Sequence, residues 1–168
     1  MSRRQNTFRI FGYCILLLED PPAGIHSIPM ATKKRVLFLC TGNSARSQMA
    51  EGILRHLAGD RFEVFSAGTH PKSIHPKSVQ MMNEIGIDIS GQSSKDVSKF
   101  AGQQFDYVIT VCDRAKQNCP IFPAAKPIHW GFDDPAEATA EPQQTIVFRS
   151  VREELFARIR LFLTASQG

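Results

Sequence analysis

Val36-Leu37-Phe38-Leu39-Cys40-Thr41-Gly42-Asn43-Ser44-Ala45-Arg46-Ser47 is the stretch around which the chain is organised. The run 35–39 is short, bulky and uninterrupted, which predicts a strand buried on both faces. From Ser47 the period changes. Met49, Ala50, Ile53, Leu54 and Leu57 fall three and four apart, as on one face of a helix. The cysteine therefore stands at the mouth of a strand, and the loop after it runs into a helix N-terminus.

That order of elements has chemical consequences. Gly42 and Asn43 tolerate positive φ, so the loop can curl and turn its N–H groups inward as an anion nest. The first helical turn adds unpaired N–H donors and the positive end of the dipole. Arg46 supplies a planar fork suited to two oxygens of a tetrahedral oxyanion. Ser47 is placed to donate to the sulfur or to cap the helix. A thiol in such a ring is expected to ionise well below the ordinary value of about 8.5. A lone cysteine at a strand end packs as a small hydrophobe. Strand, C-x5-R, serine and helix in succession point instead to a nucleophile beneath a bound oxyanion.

A second strand, 106–111, delivers another cysteine, and Cys112-Asp113-Arg114-Ala115-Lys116-Gln117-Asn118-Cys119-Pro120 follows. Two cysteines at this spacing meet only if the segment between them bends or a helical turn there loosens. Polar residues with Asp113, Asn118 and Pro120 make it a candidate mobile segment. Beside the Cys40 loop, the pair reads as a thiol relay, in which each thiolate must reach the previous sulfur. A carboxyl that protonates a leaving oxygen is available in His129-Trp130-Gly131-Phe132-Asp133-Asp134-Pro135, as Asp133 or Asp134.

Around these stretches the pattern alternates. Residues 62–68 read as a strand ending in Ser66-Ala67-Gly68, and 69–76, with two prolines, as a loop. A helix is expected from Lys77, with Val79, Met82 and Ile85 inward and Gly86 as its stop. A short helix is expected over 94–100, capped by Ser93 or Ser94. Residues 126–130 form a weaker strand. After Pro142 comes a helix whose stripe, Phe148, Val151, Leu155, Ile159 and Phe162, is core packing. Strands alternating with helices predict an α/β domain with right-handed connections and ligand sites at the strands' carboxyl ends.

The 168 residues suit one core. A net charge of +4 without a long basic run helps draw in an oxyanion but argues against nucleic acid. Cys14, Cys40, Cys112 and Cys119 do not make a disulfide scaffold, and no C-x2-C pair argues for zinc. They fit a reducing compartment, so a cytoplasmic setting is expected. Residues 1–31 read as an N-terminal extension, disordered or an upstream mis-assigned start, before a domain over 32–168. Their apolar patch, 10–18, is far shorter than the ~20 residues that span a bilayer.

Cys40 to Ser47 resembles the C-x5-R-S loop of the low-molecular-weight protein tyrosine phosphatase superfamily. The longer string through Gln48-Met49-Ala50-Glu51 resembles its thioredoxin-coupled arsenate reductases, over about residues 34–163. The resemblance implies a three-layer α/β sandwich on a four-stranded parallel sheet in the order 2-1-3-4. It implies an oxyanion loop of Thr41, Gly42, Asn43, Ser44, Ala45, Arg46 and Ser47, buttressed by Ser66. It selects Asp134, directly before proline, as the acid. A phosphatase would need only Cys40, Arg46 and Asp134, whereas a reductase must also supply two electrons. For a reductase the resemblance implies arsenate as substrate, phosphate and sulfate as competitors, and Cys40, Cys112 and Cys119 acting in turn. Thioredoxin is then the electron donor, in arsenic detoxification, with no tightly bound cofactor. There are two departures. Ala45 stands where many relatives carry a further cysteine. Lys95 falls near where relatives that bind potassium carry an acidic ligand, so no metal is expected.

Overall fold

A computed structural model describes residues 32–117 and 120–166, and Cys119 and the extension expected over 1–31 lie outside them. Four strands, β1 (Lys34–Cys40), β2 (Phe62–Gly68), β3 (Tyr107–Thr110) and β4 (Lys126–His129), form one parallel sheet in the order β2-β1-β3-β4. Strand β1 is central, and Val36 through Leu39 are fully buried, as an unbroken apolar run requires. The register pairs Cys40 with Gly68 and Leu39 with Thr110, so three strands end level with the cysteine loop.

Side chains of β1 divide between two faces. Val36 and Phe38 meet the larger core with α1 (Arg46–Ala58), α2 (Pro76–Asn83) and α4 (Gln143–Ala165). All five residues of the predicted α4 stripe are buried there. Leu37 and Leu39 face a thinner third layer with Ala67, Phe100, Phe105 and Val108. Trp130 joins the larger core against Phe38 and Phe162, with ring centroids 5.9 and 6.1 Å apart. Among the described residues no helix is long and apolar enough to cross a membrane.

Two predicted elements differ. Helix α2 starts at Pro76 and ends at Asn83, and Gly86 turns the chain at φ 75°. Ile85 therefore lies past the helix and is exposed, whereas Ser78, Met81 and Met82 are buried and Val79 packs half-buried against the core as expected. The helix expected over 94–100 is a 3₁₀ turn, Val97–Phe100, capped by Asp96. Residues 93–95 do not coil because their polar groups are committed to the cysteine loop, as described below.

Leu155→Ala should lower unfolding free energy by about 2–5 kcal/mol, because its side chain is fully buried. Leu161→Ala, at an exposed position of the same helix, should change it by about 0.5 kcal/mol or less. Urea unfolding of both variants beside the wild type checks the assignment of faces on α4.

Candidate active site

The loop after β1 is held by its carbonyls. Cys40 O accepts from Thr69 N–H at 3.3 Å, Thr41 O from His70 at 2.8 Å, and Gly42 O from Lys72 at 2.8 Å. Asn43 O takes the Gln48 amide at 3.0 Å and the Ser94 hydroxyl at 2.5 Å. Ser44 O takes His75 N–H at 2.9 Å, and Ala45 O takes Met49 N–H of α1 at 2.9 Å. Six consecutive carbonyls thus point away from the ring. The N–H groups of Gly42, Ser44, Ala45, Arg46 and Ser47 have no acceptor among the described residues. Together with the first turn of α1 they are the N–H groups left available to an anion.

Asn43 is the pivot, a non-glycine residue at φ 44°. Its side chain donates to Ser47 Oγ at 2.9 Å and to Ser66 Oγ at 2.8 Å, and accepts Lys95 N–H at 2.7 Å. Ser66 in turn donates to the buried Glu51 carboxylate, which also takes the Arg55 guanidinium. Lys95 Nζ stands 3.6 Å from the Glu51 carboxylate and donates to Ser93 O at 2.7 Å. Gly68 passes so close that a Cβ there would lie 2.6 Å from Thr41 O and 2.9 Å from Asn43 N.

The Cys40 sulfur is 2.9 Å from Ser47 Oγ and accepts Asn43 N–H at 3.0 Å. Either the Ser47 hydroxyl or the Cys40 thiol can donate in that contact, and the hydroxyl donates when the sulfur is ionised. Ser47 is a sulfur partner and not a cap, because α1 has no side-chain cap. Burial nevertheless dominates and raises the Cys40 pKa above its ordinary value, while Ser47, the Arg46 charge and the Asn43 N–H pull it down and Cys112 adds to the rise. The expected low pKa is therefore not met in this conformation. A sulfur only 2% exposed loses more to desolvation than these donors return. Arg46 also has other company: its guanidinium donates to Phe132 O at 2.9 Å and to Asp134 Oδ2 at 2.7 Å.

Cys112 reaches the same cavity from the end of β3. It is buried, its sulfur lies 3.5 Å from Thr41 Oγ1, and it accepts Ala115 N–H at 3.4 Å at the start of α3 (Asp113–Gln117). Cys40, Arg46, Cys112 and Asp134 thus line one cavity of about 550 Å³ with Lys72, His75 and Phe132. Asp133 lines it too, but the carboxyl beside Arg46 is that of Asp134. His129 is held between Thr110 Oγ1 at 2.8 Å and Asp113 Oδ1 at 3.0 Å. The wall residues Lys72 and His75 come from the stretch read as a plain loop. The dipeptide His75-Pro76 was the available signal, a capping side chain before a proline in the first helical turn.

A parallel sheet in this order, with a cysteine, an outward-tied loop and an arginine entering the next helix, is a phosphatase-like α/β fold. The sequence profile of the low molecular weight phosphotyrosine protein phosphatase family matches residues 35–167, and the chain belongs to that family. It is 47% identical over 133 residues to the arsenate reductase of Shouchella clausii (strain KSM-K16), across 78% of this chain and 96% of that one. A solved arsenate reductase in the phosphate binding state matches with a TM-score of 0.70 at 34% identity, covering 79% of this chain and 98% of the other. The thioredoxin-dependent arsenate reductase of Corynebacterium glutamicum matches at 0.65 and 31% identity, over 80% of this chain and 62% of its own.

Two outcomes follow from the geometry. Ser47→Ala removes a donor that favours the thiolate, so the midpoint of Cys40 alkylation should move to higher pH. At a fixed pH below the midpoint, alkylation should slow about tenfold for every pH unit by which the midpoint rises. Iodoacetamide kinetics in a Cys112→Ser background read this directly. Gly68→Ala should push the loop out of register, so that inorganic phosphate no longer protects Cys40 from alkylation.

Proposed function

We propose that this protein reduces arsenate to arsenite with three cysteines acting in sequence and thioredoxin as the final electron donor. The observation that carries the reading is Cys112, a second buried thiol brought to the Cys40 cavity where a hydrolase needs none. The arsenate reductases among its relatives support the substrate, and the phosphate-bound relative supports phosphate as a competing anion. The thioredoxin-dependent relative supports the donor.

Arsenate binds in the nest of N–H groups, and Arg46 turns from Asp134 to its oxygens. Cys40 Sγ forms a bond to arsenic and one As–O bond breaks. The departing oxygen leaves as water with a proton from Asp134, and the thiol proton restores the balance of charge. Cys112, as thiolate, then attacks the Cys40 sulfur. The S–As bond breaks with its electron pair going to arsenic, which leaves as arsenite, and a Cys40–Cys112 disulfide remains. Cys119 attacks Cys112, freeing Cys40, and the dithiol of thioredoxin reduces the Cys112–Cys119 disulfide.

Arsenate-dependent NADPH oxidation, coupled through thioredoxin and its reductase, tests this with wild type and Cys119→Ser side by side. Wild type should turn over continuously, while the variant should stop after about one arsenite per enzyme. Equal turnover by both removes Cys119 from the relay. Aryl phosphate hydrolysis without arsenate reduction, unaffected by Cys112→Ser, replaces the reading with that of a phosphatase.

A further inference from the structure

His75 lines the cavity but takes no part in the steps above. Its place is fixed three ways. Its backbone N–H donates to Ser44 O at 2.9 Å, its Nδ1 accepts Lys77 N–H at 3.1 Å, and its ring packs on Phe148 with centroids 4.7 Å apart. With Nδ1 an acceptor, the proton of the neutral ring sits on Nε2. That N–H has no acceptor among the described residues. Burial first, and then the Lys77 charge, lower the His75 pKa, and the Asp134 carboxylate pulls the other way. The ring is therefore a neutral donor near pH 7, on a cavity wall within the field of Asp134.

Asp134 needs such a donor. Its Oδ2 is held by Arg46 at 2.7 Å and its Oδ1 by Ala136 N–H at 3.2 Å. An arginine that binds the oxyanion must release Oδ2, and a carboxyl held by one N–H alone can rotate. We propose that His75 is a positioning residue for Asp134: once Arg46 turns to the oxyanion, the His75 Nε2–H bonds the carboxyl and keeps its proton aimed at the leaving oxygen. A neutral donor suits this work. A cation in the same place would favour the carboxylate and withhold the proton. The inference rests on the reductase reading above, in which Asp134 is the acid.

His75→Asn separates positioning from capping. The amide oxygen can accept Lys77 N–H, asparagine being among the strongest caps, but the side chain stops short of the Nε2 position. Its thermal midpoint and its inhibition by inorganic phosphate should match wild type, while kcat/KM for arsenate falls about tenfold. In an Asp134→Ala background the same substitution should change kcat/KM by less than about twofold. An equal loss in both backgrounds, or full activity of His75→Asn, overturns the inference. A wild type that reduces no arsenate overturns the reductase reading instead. The cycle is then read on aryl phosphate hydrolysis, where non-additivity supports the positioning role and additivity overturns it.

Discussion

The site depends on the polarity of six peptide groups. The carbonyls of Cys40 through Ala45 must all face outward before any N–H can face in. A buried carbonyl left without a donor costs about 1–3 kcal/mol, so the outward set has to be matched group by group. The donors come from 69–78 and from Gln48 and Ser94, and Gly68 lets the end of β2 lie against the loop. Asn43 accepts a left-handed backbone because five hydrogen bonds from its side chain and carbonyl determine it from several sides. The loop is thus over-determined by the protein's own hydrogen bonds.

Arg46 has two sets of partners within reach, and that choice links binding to chemistry. Its fork is occupied by Phe132 O and Asp134, and its charge is shared with a carboxylate. The thiol below is buried and held toward its neutral form. A neutral thiol is a poor target for oxidants and electrophiles, whose reactions need the thiolate. An arriving oxyanion competes for Arg46, and in the proposed chemistry the same event frees the carboxyl that must protonate the leaving oxygen. Binding and acid release become one exchange of partners.

The strand, loop and helix around Cys40 were legible because they are contiguous, and their periods change where the elements do. Cys112 was legible for the same reason, as the end of a second apolar run. The parallel order of the sheet and the choice of Asp134 came from resemblance, since spacing records neither strand pairing nor which of two adjacent carboxyls turns inward. Residues 69–76 and 93–95 resisted reading because their contribution is mostly backbone hydrogen bonding to a distant loop, and side-chain patterns carry no trace of it. The expected acidic thiol failed on a different count. Donors around Cys40 could be anticipated from the sequence, but neither the depth of its burial nor the claim of Asp134 on Arg46 could.

The two thiols on the cavity stand on very different supports. Cys40 ends a central strand paired on both sides, and its backbone cannot shift without breaking the sheet and the loop together. Cys112 stands at the start of α3, whose described residues are Asp113–Gln117. Among the described residues its sulfur has one weak N–H contact and one hydroxyl neighbour, and the Asp113–His129 pair that ties α3 to β4 is largely open to water on the Asp113 side. Such exposed pairs hold weakly. In the proposed relay Cys112 receives a disulfide from one partner and hands it to another, so the thiol that must change partners is the one on the weaker support.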